Sequence, residues 1–139
     1  MELKKMQIIV FTLNDKYYAI NTEHVEEISK NIPSTRVPSA PYWIEGLINL
    51  RGNVVSLVNL CKLLRKEEDR CYNNIILIND EDEKVGLLVK DIIEVIDIEE
   101  DSIEKIRTQI VDGIVGIFQL NEYIVNIIDI RILLAENEG

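Results

Sequence analysis

The 139-residue sequence is poor in the side chains that most often carry out chemistry in proteins. It has one histidine, His24, two cysteines and only 6% aromatic residues. A single histidine cannot form a metal-binding pair, and no nucleophile elbow or glycine-rich phosphate loop occurs. The acidic run Asp80-Glu81-Asp82 lacks the glycine and the distal glutamate of a calcium loop. The sequence therefore predicts no enzyme, no metal site and no cofactor.

Basic residues and long apolar runs are scarce as well. There are 15 Lys and Arg against 25 Asp and Glu, a net charge of −10, which argues against nucleic acid and against anionic membrane surfaces. No segment approaches the roughly 20 apolar residues of a membrane-spanning helix, so we expect no direct membrane insertion. No signal peptide is visible, and Cys61 and Cys71 form no disulfide framework. We expect a cytoplasmic protein with reduced thiols.

What the chain does contain is an internal duplication. Residues 46–60 match residues 116–130 without a gap, with apolar residues opposite apolar ones and Asn59 opposite Asp129. The one chemical mismatch is that Arg51-Gly52 falls opposite Asn121-Glu122. A fixed period of this kind predicts two repeats of one structural unit, because such units bury little surface alone and need each other.

The repeats can be delimited approximately. They are predicted as one domain over 1–139, made of halves 6–65 and 74–134 joined by a charged connector at 66–70. Exchange of the first strand between the two halves is not excluded by the sequence.

The secondary structure is predicted to be mostly strand. Ile and Val make up roughly a quarter of the residues, and turn signals such as Asn14-Asp15 and Arg51-Gly52 separate short apolar runs. Many short strands with regular turns favour barrels or a sandwich.

A few short helices are also expected. Thr22–Lys30 is predicted as helix because Val25 and Ile28 are three residues apart after a capping signal. The other candidates are a helical turn over residues 42–45 ended by Gly46, and short helices over residues 60–65 and 130–134.

Several of these residues match a known pattern. The first repeat reads Val25-x-Glu27-Ile28 and then Val37-Pro38-x-x-Pro41-x-x-Ile44-x-Gly46-Leu47-x-Asn49-Leu50-Arg51-Gly52. This pattern resembles the CheW family of bacterial chemotaxis coupling proteins, over about residues 8–134. The resemblance implies an all-β fold of two SH3-like five-stranded barrels related by internal duplication and packed as one body.

The resemblance also implies a function and partners. Such a protein is a non-enzymatic adaptor that couples transmembrane chemoreceptors to the histidine kinase CheA. Its partners are the regulatory domain of the CheA-type kinase and the cytoplasmic tip of a chemoreceptor, whose helical hairpin lies in the groove between the barrels. It is monomeric alone and recruited to receptor arrays at the membrane. The alternative is a CheW-like docking module that couples a related kinase and receptor outside chemotaxis.

The receptor-binding residues expected by this resemblance are Arg51, Glu27, Val25, Ile28, Gly46, Asn49 and Gly52. Arg51 is the first choice, because the duplicate position holds Asn121 and the fold therefore does not require arginine there. The resemblance suggests an ion pair between Arg51 and Glu27. Val25 and Ile28 are equally consistent with a place in the core, and Gly46 with a purely backbone role. No residue is assigned to the kinase interface.

Overall fold

The protein is built almost entirely from short antiparallel hairpins. The computed structural model describes residues 4–106 and 113–137. Two short 3-10 turns, Thr22–His24 and Glu100–Ser102, accompany the strands. The strands are β1 (Lys5–Leu13), β2 (Lys16–Asn21), β3 (Val25–Lys30), β4 (Ile44–Leu50), β5 (Asn53–Asn59), β6 (Asn74–Asp80), β7 (Glu83–Val89), β8 (Asp91–Glu99), β9 (Glu104–Lys105), β10 (Ile114–Leu120) and β11 (Tyr123–Ile128), and the helices are α1 (Leu60–Leu63) and α2 (Ile130–Asn137).

The chain divides into two compact units, here called the middle unit and the terminal unit. The middle unit is His24–Asp91, and the terminal unit combines Met1–Glu23 with Ile92–Gly139. These units do not coincide with the sequence repeats. The charged connector at 66–70 separates the repeats in sequence but lies inside the middle unit.

The middle unit contains a five-stranded sheet in the order β3-β6-β7-β5-β4. The chain between β3 and β4 returns to the far edge, where Thr35 and Leu47 exchange two backbone hydrogen bonds of 2.8 Å each. Its core is aliphatic, as the low aromatic content predicts, and consists of Ile48, Leu50, Val55, Leu57, Ile75, Leu77 and Leu88.

The terminal unit repeats this plan with strands from both ends of the chain. Its sheet has the order β8-β1-β2-β11-β10-β9. The two-residue strand β9 pairs with β10 through Gly116 and Ile117, in the place that the Thr35 bridge occupies in the middle unit. The sixth strand, β9, therefore makes with two residues the same edge pairing that Thr35 makes alone in the middle unit. The core consists of Ile8, Val10, Ala19, Ile98, Val125 and Ile127.

Each structural unit contains one hairpin that belongs, in sequence, to the other repeat. The β1–β2 hairpin of the first repeat joins strands of the second, with Tyr17 of β2 in parallel register with Val125 of β11. The β6–β7 hairpin of the second repeat joins strands of the first, with Val85 of β7 in parallel register with Ser56 of β5. The exchange that the sequence left open is thus present in the structure, and it is mutual.

One predicted helix and one predicted helical turn are wrong. Only Thr22–His24 of the predicted helix Thr22–Lys30 is helical, as a single 3-10 turn, and the rest is strand β3. Pairing with β6 satisfies the backbone of β3 along one side, whereas a nine-residue helix is marginal without tertiary packing. Likewise, β4 begins at Ile44, so residues 42–45 form no helical turn.

The short helices after β5 and β11 are confirmed. Asn59 precedes α1, and its Oδ1 accepts a hydrogen bond of 3.1 Å from the N–H of Lys62. Asp129 precedes α2, and its Oδ1 accepts from the N–H of Arg131 and Ile132 at 3.0 and 3.2 Å. Asn59 and Asp129, which are equivalent positions of the two repeats, therefore both cap the N-terminus of a helix.

Candidate functional site

The candidate site is built on the turn between β4 and β5. Arg51 and Gly52 form this two-residue turn with φ of 52° and 84°, the left-handed backbone that tight hairpins require. The side-chain oxygen of Asn49 accepts a hydrogen bond of 3.1 Å from the N–H of Gly52, which holds the turn in place. Glycine and asparagine adopt this backbone readily, but arginine does so at a cost of about 1–2 kcal/mol. Arg51 is therefore not the residue that the turn itself favours.

The ion pair between Arg51 and Glu27 is present. Nε of Arg51 lies 3.1 Å from Oε2 of Glu27, with 79% of the arginine side chain and 21% of the glutamate side chain exposed. Glu27 is on β3 and Arg51 follows β4, and these strands are opposite edges of the sheet. The pair therefore links the two edges of the middle unit. A pair this exposed contributes about 0–1 kcal/mol to stability, so its effect is mainly on geometry.

Gly46 lies at an irregular point of β4 and not at a helix end. The register with β5 shifts between Ile44 and Gly46, and Gly46 has a φ of 154°. A Cβ at this position would lie within 2.3 Å of the backbone oxygen of Thr35. Gly116 has the same shift in the terminal unit, where a Cβ would lie 2.6 Å from the side chain of Ile103. Both glycines therefore allow a crossing segment to approach the edge strand.

Val25 and Ile28 lie on the same strand as Glu27. Val25 is opposite Ile78 and Ile28 is opposite Ile76, so the extra residue between Val25 and Glu27 puts both side chains on one face of β3. Val25 is half-buried, whereas Ile28 is 38% exposed. Ile28 is thus available for contact with a partner, and Val25 only in part.

Two exposed apolar residues on this hairpin were missed in the sequence. Val54 is 68% exposed and lies opposite Asn49, and Leu47 on the same outward face is also exposed. The sequence could have indicated an exposed valine here, because Val54 and Val55 are adjacent in a strand and only one of them can face the core. Leu47, Asn49, Arg51 and Val54 together are here called the hairpin surface.

The neighbouring connector is held by a buried amide. Asn59 is fully buried, and its Nδ2 donates to Glu45 Oε1 at 2.7 Å and to Glu68 Oε1 at 3.0 Å. Lys62 Nζ lies 3.6 and 3.9 Å from the same two oxygens. The connector is therefore fixed to the middle unit and does not act as a free linker.

A buried thiol lies beside this network. Cys61 is fully buried and donates to Asp69 Oδ2 at 3.6 Å. Burial, more than its neighbours, raises the pKa of the Cys61 thiol to about 11. Burial likewise raises the pKa of Tyr72. A thiol held protonated in this way is a poor nucleophile.

Metal-binding clusters and membrane-spanning helices are both absent from the described parts of the chain. Across residues 4–106 and 113–137, no group of three or more His, Cys, Asp or Glu side chains is arranged to hold a metal ion. His24 lies in the 3-10 turn before β3, half-buried. No helix within these ranges is long and apolar enough to cross a membrane.

Comparison with known proteins identifies the family. A family model described as the CheW-like domain matches residues 7–138, nearly the whole chain. The chain belongs to the CheW-like domain family. The resemblance carried by the Asn-Leu-Arg-Gly turn and the residues before it is thereby confirmed.

Individual CheW proteins are similar over most of their length. The Chemotaxis protein CheW of Helicobacter pylori is 30% identical over 137 residues, which cover 95% of this chain and 83% of that protein. The Chemotaxis protein CheW of Bacillus subtilis is 39% identical over 100 residues, which cover 70% of this chain and 64% of that protein. The crystal structure of the scaffolding protein TtCheW from Thermoanaerobacter tengcongensis superposes with a TM-score of 0.83 at 30% identity, covering 94% of this chain and 92% of that one. The predicted all-β fold of two duplicated barrels is confirmed by this likeness.

Proposed function

We propose that this protein is a non-enzymatic adaptor that couples chemoreceptors to a CheA-type histidine kinase in chemotaxis. Family membership over residues 7–138 and likeness to a protein described as a scaffold support this role. The observation that carries it furthest is the Arg51–Glu27 pair, which links the edges of the middle unit beside exposed apolar side chains. A surface of this kind suits binding, since it offers contacts but no reacting group.

The receptor tip is proposed to bind the hairpin surface and the adjoining strand β3. Arg51 offers a largely exposed guanidinium, Val54 offers an apolar contact on the same hairpin, and Ile28 offers another on β3. Arginine with exposed aliphatic neighbours is a frequent centre of binding energy in protein interfaces. An amphipathic helix, which is what the helical tip of a receptor would offer, suits such a mixed surface. The kinase would bind elsewhere on the chain.

The cellular setting follows from the same proposal. The protein would work on the cytoplasmic side and reach the membrane only through its partners. Its net charge of −10 opposes association of like copies, so we expect a monomer when it is alone. Sedimentation of the purified protein measures this directly.

The deciding experiment is a titration of the protein against the cytoplasmic tip of a host receptor and, separately, the regulatory domain of the host CheA. Arg51→Glu should weaken receptor binding by about tenfold or more, because it removes the guanidinium and repels Glu27. The melting temperature should change little, since the ion pair adds little stability.

Arg65→Glu is the matched control. Arg65 is also exposed, also in the middle unit, and also has a positive φ, of 58°. The substitution makes the same change of charge away from the hairpin surface. If both variants lose binding equally, the effect is one of net charge and not of Arg51. If the wild type binds neither the receptor tip nor the kinase domain, the proposed role in chemotaxis is wrong.

A further inference from the structure

The strand β8 is an edge of the terminal sheet. β8 pairs with β1, and none of the strands in the described ranges pairs with it on the other side. With nine residues it is longer than β3, the six-residue strand at the equivalent edge of the middle unit. The N–H of Glu100 donates to the carbonyl of Lys4 at 2.9 Å. If the alternation is regular back from Glu100, the N–H and C=O of Asp97 and Val95 are expected to point away from β1.

The outward face of β8 is partly apolar. Ile98 is buried and Ile96 packs against the terminal core, so the odd-numbered residues face away from it. Ile93 and Val95 are 44% and 45% exposed, and Glu94 between them is exposed as well. Adjacent β-branched side chains on an open edge are a ready surface for a further strand.

The charged residues of the edge strand itself and of the turn after it are all acidic. Residues 91–104 include seven acids and no Lys or Arg, the acids being Asp91, Glu94, Asp97, Glu99, Glu100, Asp101 and Glu104. Beyond the end of β8, Glu100, Asp101 and Glu104 line a shallow cavity of about 560 Å³ together with Ile103 and Lys105. A second copy of this chain would bring the same acids against each other, which disfavours it as the occupant.

We propose that the β8 edge binds a basic, extended segment of another protein by strand addition. The segment would alternate Lys or Arg with Val or Ile. Its backbone would pair with β8, its apolar residues would cover Ile93 and Val95, and its basic residues would meet the acids of 91–104. All of the exposed β8 residues in this proposal belong to the terminal unit, whereas the hairpin surface belongs to the middle unit.

The test uses the full chain and a synthetic peptide that alternates basic and β-branched residues. Titration followed by backbone amide NMR should shift the signals of 91–99 and slow their exchange with solvent. Raising the salt from about 0.1 M to 1 M should weaken binding several-fold, since the screening length falls from about 10 to 3 Å. A peptide of the same composition with alternate backbone amides methylated should bind at least several-fold more weakly, because it cannot complete the strand pairing.

Val95→Lys should abolish peptide binding while the protein stays folded, because Val95 is exposed. Ile124→Lys is the matched control, since Ile124 is an exposed β-branched residue on β11 of the same unit. Three results overturn the proposal: equal binding of the methylated peptide, equal loss in both variants, or amides of Val95 and Asp97 that are already protected in the free protein. The last result would mean that the chain itself covers this edge.

Discussion

At the scale of single residues, the two equivalent hairpin turns have the same backbone conformation but different side chains. Arg51 has a φ of 52° and Asn121 a φ of 53°. Asparagine suits this conformation, whereas arginine carries a steric cost there. Arg51 is therefore present for what its side chain contacts, and stability and binding should respond in opposite directions when it is replaced.

Arg51→Asn, which copies the second repeat, tests this opposition. Relief of the left-handed arginine should balance or exceed the loss of an exposed ion pair, so stability should be unchanged or higher by up to about 1 kcal/mol. Receptor-tip binding should weaken at the same time. Thermal unfolding and the receptor titration measure the two effects, and a clear loss of stability would show that the pair with Glu27 is chiefly structural.

The buried thiol of Cys61 should make stability depend on pH at the alkaline end. Its pKa rises from 9.0 to about 11 on folding, mainly through burial. Between these values the folded protein keeps a proton that the unfolded chain releases, so this contribution to stability is complete below pH 9 and is lost as pH rises toward 11. Urea unfolding of the wild type and of Cys61→Ala across this range should show a steeper decline in the wild type. Cys71→Ala, at an exposed position, should leave the decline unchanged.

At the scale of elements, a chain segment that follows one edge strand of each sheet pairs with the strand at the opposite edge. This close approach is possible because the opposite strand has a glycine at the contact. In the middle unit the crossing residue is Thr35, and in the terminal unit it is the strand β9. Gly46 and Gly116 lie under these crossings, which explains why both repeats keep glycine there. The predicted helix end at Gly46 was wrong, although the expectation of a backbone role was sound.

Gly46→Ala should therefore be far more damaging than Gly52→Ala. The first places a Cβ against the Thr35 carbonyl, and we expect a loss of about 3 kcal/mol or more. The second has nothing within 4 Å of the added Cβ, so only the strain of a positive φ remains, about 1 kcal/mol. Chemical unfolding compares the two variants, and similar losses would contradict the role assigned to the Thr35 crossing.

The strand β3 shows why part of the secondary structure could not be predicted. A spacing of three between Val25 and Ile28 is typical of a helix, but the bulge at Glu26 inserts one residue and gives a strand the same spacing. The turns were predictable because Asn14, Asp15 and Gly52 are residues that favour tight turns. The Arg51–Glu27 pair came from family resemblance, and local patterns alone would not have joined residues from opposite sheet edges.

At the scale of the whole molecule, the duplicated sequence conceals how the hairpins are exchanged. The β1–β2 and β6–β7 hairpins have similar apolar patterns, so the patterns do not say which sheet each hairpin completes. The repeats could therefore predict two similar units, and the family resemblance two barrels, but neither could predict which hairpin belongs to which unit. The structure gives a continuous middle unit and a discontinuous terminal unit.

Because only the middle unit is continuous in sequence, isolated fragments of the two units should differ in their ability to fold. A fragment of residues 24–91 holds every strand of its sheet and should unfold cooperatively, though at roughly 70 residues its stability will be low. A fragment of residues 92–139 lacks β1 and β2 and should be unfolded alone. Circular dichroism during heating distinguishes the two, and adding a peptide of residues 1–23 should restore structure to the second fragment only.

The exchanged hairpin also sets an order of events on the ribosome. The first strands to be synthesised, β1 and β2, belong beside β11, whose parallel partner Val125 is made about 100 residues after Tyr17. At about 5–20 residues per second, this hairpin waits several seconds with Ile8 and Val10 uncovered, while the middle unit can close as soon as β7 emerges. The start of the chain thus completes its sheet only when the end of the chain has been made.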